Sequence, residues 1–320
     1  MVNRRNFLAS GAAFTTAGPL FVKPAGAADG KRGISVRFLG SGASGWRPEW
    51  VKSKPHMRRQ SSILVENKLV FDFTMCGFDH LPKGLVPEAL FVTHSHSDHF
   101  NASAVVRLGV KKVYTHASWA GYAEAVLKAA AQEAKLPAPE VTGIGFAEPV
   151  RIADVKVTAV PSIHSTSRLV DGQLERTAMY LIEKGESRLL YATDTAGIPG
   201  DAARMIGIDS HIGLKTYGKN PALQENPFVH RPKPLTAFIM EATNGDSDED
   251  FRLFVHASVQ TVDRIVRMLK KSGGFTPPPG QRAFITHLGL KYRNWPSERI
   301  EASIPAELAA AYDGLEVRLG

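Results

Sequence analysis

The chain has 320 residues, of which 43% are hydrophobic, 8% aromatic and 22% charged, a balance that supports the core of one large domain and excludes a disordered or fibrous protein. Length alone also allows two domains. A single cysteine, Cys76, excludes an intramolecular disulfide framework and any centre built from several thiolates, so a bound metal would have to be held by histidines and carboxylates. The formal charge is +8, but residues 1 to 27 contribute Arg4, Arg5 and Lys23 without an acid, which leaves +5 on the remainder. That is a mild bias toward anionic partners and falls short of a nucleic-acid signature.

In chain order, the opening residues read as an address. Arg4-Arg5 leads into Asn6-Phe7-Leu8, a weakly apolar Ala/Gly/Phe/Leu stretch follows, and Ala25-Gly26-Ala27 is a small-residue cleavage pattern. This order resembles the twin-arginine export signal, whose machinery moves proteins that have already folded. A disordered basic tail is the plain alternative. The expectation is a signal over 1–27, one catalytic domain over 28–320, and a soluble mature protein in the periplasm. No other apolar run reaches the roughly 18 residues of a membrane span.

From Gly33 onward, short β-rich apolar runs predict strands over 34–39, 61–65, 69–73, 89–93, 112–115, 155–160, 177–183, 188–193, 235–241 and 283–286. Helical patterns lie at 101–108, 119–135, 258–271 and 305–312. Strands that begin as hairpins, with scattered helices, favour an α/β molecule of two sheets with helices outside. The stretch 210–234 contains Pro221, Pro227, Pro232 and Pro234 and lacks periodicity, so it suits a lid, a pocket wall or a homodimer contact. Thr276–Gly280 is a stiff turn.

The chemistry concentrates where strand 89–93 ends, in Thr93-His94-Ser95-His96-Ser97-Asp98-His99. In an extended chain His94 and His96 point the same way, and a turn into the helix at Asn101 lets Asp98 and His99 face a second point nearby. Imidazole and carboxylate suit zinc, and manganese or iron as well. Four such groups complete one site but not two. Further candidates each follow a later strand: His164 after 155–160, Asp194 after 188–193, and His287 after 283–286. Taken singly, each could be a capping aspartate or a buried core histidine.

In this order, His94-x-His96-x-Asp98-His99, His164, Asp194 and His287 resemble the metallo-β-lactamase-fold hydrolases, over about residues 33 to 320. The resemblance implies an αββα sandwich and two divalent metal ions. His94, His96 and His164 would hold one ion, Asp98, His99 and His287 the other, and Asp194 would bridge them. Asp72 matches an early aspartate that orients the metal loop. A metal-bridging hydroxide would be the nucleophile. Phe38-Leu39-Gly40-Ser41-Gly42, Arg58-Arg59-Gln60-Ser61-Ser62, Glu241-Ala242-Thr243 and His256-Ala257-Ser258 are similar to the ribonuclease Z and cyclic-phosphodiesterase branch. By that likeness His256, helped by Glu241, stabilises the departing oxygen or donates its proton. Asp98, Glu241 and His256 are thus the candidate catalytic side chains.

Departures from that branch narrow the reading. There is no Gly-rich arm of the kind that grips tRNA, and Cys76 alone cannot build a cysteine-bound zinc. Trp46, Arg47 and Trp50 occupy the early loop and would either rim a pocket or pack on themselves. Lys291 and Arg293 would attract an anionic small molecule or simply face solvent. The expected function is hydrolysis of phosphodiester-type substrates. A carboxylic ester, lactone or lactam on the same centre is the second reading, and a non-catalytic, cofactor-handling scaffold the third.

Overall fold

Runs such as Ile34-Ser35-Val36-Arg37-Phe38 alternate fully buried with half-buried positions, and this pattern builds the sheets. The computed structural model describes residues 32–208, 233–247 and 251–320, and Lys31–Gly320 cluster as one unit. The first sheet holds β1 (Ile34–Gly40), β2 (Ser62–Val65), β3 (Leu69–Phe71), β4 (Ala89–Phe91), β5 (Lys112–His116), β6 (Glu140–Ile144) and β16 (Glu316–Leu319). Its order is β16-β1-β2-β3-β4-β5-β6, antiparallel as far as β3 and parallel beyond it.

The second sheet holds β7 (Pro149–Ile152), β8 (Val155–Pro161), β11 (Ala178–Lys184), β12 (Ser187–Ala192), β13 (Ala237–Glu241), β14 (Ala283–Thr286) and β15 (Leu308–Ala310). Its order is β15-β14-β13-β12-β11-β8-β7, and β12 through β15 run parallel. A small hairpin, β9 (Leu169–Val170) and β10 (Gln173–Leu174), stands apart.

Three apolar layers hold this arrangement. Between the sheets lie Val36, Phe38, Phe71 and Phe91 from one side and Val157, Tyr180, Leu189 and Tyr191 from the other. Phe71 stacks on Phe91 at 5.2 Å and both meet the edge of Tyr180. The outer face of the first sheet is covered by α1 (Ala102–Leu108) and α2 (Ala120–Ala134), and that of the second by α3 (Val259–Ser272). Asn101 caps α1 by accepting the Ala104 N–H at 2.9 Å, and Ser258 caps α3 by accepting from Thr261 at 3.1 Å. The result is the expected αββα sandwich. Among the described residues no helix is long and apolar enough to cross a membrane.

The ten predicted strands and the helices at 102–108, 120–134 and 259–272 are present. The helix expected over 305–312 is not: Leu308–Ala310 is a buried strand paired with β14. A continuous small-apolar run buried on both faces fits a parallel strand as well as a helix, and here the open sheet edge takes it. The segments 1–27 and 210–232 lie outside the described residues.

Candidate metal centre

The metal-loop histidines are placed by the end of β4. Tyr180 donates its hydroxyl to the Val92 carbonyl at 2.7 Å, and the Ala178 N–H donates to the Thr93 carbonyl at 3.0 Å, so the second sheet grips the chain just before His94. After His96 the chain turns tightly, with the His99 and Phe100 N–H groups donating to the His96 carbonyl, and then enters α1. His164 follows β8. Because β12, β13 and β14 are parallel neighbours, their carboxyl ends bring Asp194, Glu241 and His287 side by side. Asp72, Asp194 and His287 all sit at positive φ, at 56°, 45° and 50°. Such backbone is costly for residues other than glycine and recurs at functional sites.

The structure brings together all seven predicted ligands. His94, His96, His164 and Asp194 form one group and Asp98, His99 and His287 a second, with the ligand atoms inside each lying within 4.8 Å of one another. In the first, His94 Nε2 is 2.9 Å from His96 Nδ1, His164 Nε2 is 3.2 Å from the same atom, and Asp194 Oδ2 is 3.3 Å from His94 Nε2. In the second, His99 Nε2 and His287 Nε2 are 3.1 Å apart, with Asp98 Oδ2 at 3.6 and 3.4 Å from them. Asp194 borders both groups, with Oδ2 at 3.4 Å from His99 Nε2 and Oδ1 at 3.0 Å from His287 Nε2. His256 joins Asp194 and His287 in a third overlapping group.

Hydrogen bonds behind the rings fix which nitrogen faces inward. Asp72, fully buried, accepts from the Thr93 N–H at 2.8 Å, from the Thr93 hydroxyl, and from His99 Nδ1 at 2.7 Å. With its proton given to Asp72, the Thr93 hydroxyl accepts from His94 Nδ1 at 2.9 Å. His164 Nδ1 donates to the Val255 carbonyl at 3.2 Å. The Thr243 hydroxyl donates to the His287 carbonyl and so accepts from His287 Nδ1 at 2.7 Å. Four imidazoles therefore hold their Nδ1 protons outward and turn Nε2 toward one another, which is the atom a bound metal would take.

Lone pairs about 3 Å apart repel unless a cation or a proton lies between them, and nitrogens on a tetrahedral zinc would be separated by roughly 3.3 Å. Asp194 Oδ1, buried and without a hydrogen-bond partner, is a further unmet acceptor. The donor set thus fits divalent metal. The electrostatics agree. Burial pulls His94, His96 and His164 below the ordinary histidine value, leaving them neutral ligands. Burial would do the same to His287, but Asp194 and Asp98 outweigh it and push that ring up to about 9. Around His99, Asp194, Asp72 and Asp98 likewise overcome burial and raise it. His99 and His287 in turn hold Asp98 and Asp194 below the usual carboxylate range, against burial. The pocket attracts positive charge.

Glu241 and His256 form the expected pair beside this cluster. Glu241 is fully buried and accepts from the Thr195 N–H at 2.7 Å, the Thr243 N–H at 3.0 Å and His256 Nδ1 at 2.8 Å. The His256 ring lies 5.0 Å from that of His164 and 5.9 Å from that of His287. Burial would lower its pKa, but Glu241 more than offsets this and raises it.

Other sequence expectations resolve differently. Arg47 and Lys54 both cover the Trp50 ring, at 5.7 and 3.7 Å, so the early loop packs on itself. Arg293 lies against Gly45 and interacts with the charge of Asp98. The Lys291 side chain is outside what the structure describes. Sequence reasoning missed Glu175, which is buried and accepts from the Ser95 N–H at 2.7 Å, the Ser95 hydroxyl at 2.5 Å and the Thr166 hydroxyl at 3.0 Å. It clamps the residue between His94 and His96. The one available signal was Asp171-Gly172, a hairpin turn with φ of 49° and 77° that fixes where Glu175 returns.

A family model described as a β-lactamase superfamily domain matches residues 80–216. No curated protein matches the sequence. Among solved structures, the chain is similar to Zn(2+)-bound PqqB from Methylobacterium extorquens, with a TM-score of 0.59 and 18% identity over 89% of this chain and 100% of that one. A diphosphatase from the PhnP family superposes with a TM-score of 0.57 and 20% identity, covering 90% of this chain and 98% of that one. The short form of human tRNase Z gives a TM-score of 0.57 and 13% identity, covering 89% of this chain and 99% of that one. With two seven-stranded sheets faced by helices and a His/Asp cluster able to hold metal at their carboxyl edge, the described chain has the metallo-β-lactamase fold.

Proposed function

We propose that this chain is an exported metal-dependent hydrolase of phosphodiester-type substrates, with two divalent ions, zinc above manganese or iron, held by His94, His96, Asp98, His99, His164, Asp194 and His287. The observation that carries the reading is the Glu241–His256 pair at 2.8 Å, set against the ligand cluster. Ions bound there would supply Lewis acidity and water acidified toward neutral pH. The chain's own residues do the rest. Glu241 fixes the His256 ring through Nδ1 and favours its protonated form, so Nε2 carries a proton that can pass to the departing oxygen as the ester bond breaks. Asp72, Thr93, Thr243 and the Val255 carbonyl keep the ligand rings oriented while charge develops. The likeness to a diphosphatase and to a tRNase Z supports phosphoryl substrates over carboxylic esters, lactones or lactams.

The residues 1–27 would be the export signal and 28–320 the mature domain. A screen of the metal-loaded mature chain against a bis-aryl phosphate, an aryl carboxylic ester and a lactone tests the reading, which expects the phosphodiester to turn over fastest. Preference for the carboxylic ester or lactone contradicts it. Tight binding of a small molecule without turnover of any ester would make the protein a scaffold instead.

A further inference from the structure

Large apolar side chains left in water are ordinarily scattered one by one over a surface, and a cluster at the mouth of a site is informative. Eleven exposed large hydrophobics occur among the described residues, and five of them stand on just two short segments, 163–174 and 253–254. Ile163, 39% exposed, directly precedes His164. Phe254, 80% exposed, and Leu253 stand two and three residues before His256. The two segments touch, since His164 Nδ1 donates to the Val255 carbonyl. The backbone of Ile163 is also tied to the Asp194 loop, its N–H donating to the Thr195 hydroxyl and its carbonyl accepting from Ala196. Leu169 and Leu174, 66% and 61% exposed, ride the hairpin that follows His164.

Half-buried Arg293 feels the charges of Asp98 and of Arg252, the residue before Leu253. Apolar side chains and cations therefore occur together around the ligand cluster. A fully ionic or sugar-rich ester would leave the apolar side chains unused.

We propose that the substrate of this site is a small anionic ester bearing an aryl or alkyl substituent, with the substituent lying on Ile163 and Phe254 and the anionic group at the metal ligands. This rests on the site assignment above but not on the reaction. Direct titration calorimetry of the zinc-loaded protein with methyl-, butyl-, hexyl- and phenylphosphonate, which are not hydrolysed and are monomeric in water, tests it. Affinity should rise by about threefold to fourfold for each methylene that is buried. Phe254→Ala and Ile163→Ser should each shrink the gain from methyl to hexyl by about tenfold, whereas Met268→Ala, an exposed apolar residue on α3, should leave it unchanged. Phe254 is exposed, so its replacement does not disturb the core.

Equal affinity across the phosphonate series overturns the inference, and so does a graded series that both rim variants leave intact. Graded phosphonate binding with no hydrolysis of any phosphodiester would leave it standing and remove only the proposed reaction.

Discussion

At the level of single residues, the candidate ligands are oriented by what stands behind them. His96→Ala and Asp194→Ala remove one ligand from the first group and the carboxylate that borders both, so steady-state assays should find turnover abolished while circular dichroism shows an intact fold. His256→Ala should slow phosphodiester cleavage by roughly a hundredfold while the bound metal is retained, since it removes the proposed proton donor and not a ligand of either main group. Glu175→Ala frees Ser95 from its clamp, and losing such a support typically weakens metal affinity by about tenfold to a hundredfold, measurable as faster zinc loss to a chelator. Glu175→Gln, which keeps an acceptor for the Ser95 N–H, should recover part of that loss. Unchanged zinc release in Glu175→Ala would contradict the role.

These residues differ in how legible they are in the sequence. His94, His96, Asp98 and His99 announce themselves because such a density of ligands just after an apolar strand has few other uses. Asp194 and His287 were readable only jointly with that motif. Thr93, Thr243 and Glu175 look like any threonine or glutamate. Their work is done by contacts such as that of Glu175 with Ser95, 80 residues apart, which no local pattern records.

At the element scale, the central strands were legible because they are continuous apolar runs, and the edges were not. β6 and β7 are short and bury only Ile144 between them. β15 reads as a helix because its alanines favour one, and pairing with β14 overrides that preference. α2 offers a test of a different kind. His116 precedes the short turn that leads into it, accepting the Ser118 N–H at 3.1 Å. Burial, with help from Arg176, pulls this ring from the ordinary value of 6.5 down to about 4. Its folded value lies below its unfolded one, so the native state holds fewer protons. The associated stability is complete above about pH 6.5 and drains away as the pH falls toward 4. His116→Asn keeps a capping acceptor and removes the titration, so urea unfolding midpoints should fall less between pH 6.5 and 4 than in the parent protein. An identical pH slope in both proteins would contradict this.

At the scale of the whole molecule, two sheets converge at one edge so that loops from β4, β8, β12 and β14 meet, and ligands brought together this way would take up metal only once the chain has folded. That suits export in the folded state. Replacing Arg4 and Arg5 together by lysine should keep the protein out of the periplasmic fraction while leaving its hydrolytic activity in the cytoplasmic fraction, and undiminished export would contradict the twin-arginine reading. Under the proposed function, seven side chains drawn from four loops grip a pair of cations. Anomalous diffraction from crystals of the zinc-loaded protein, collected at the zinc edge, tests it most directly. Two peaks should appear, one among His94, His96 and His164 and the other among Asp98, His99 and His287, with Asp194 between them. No peak at these residues in crystals grown with excess zinc would contradict the account.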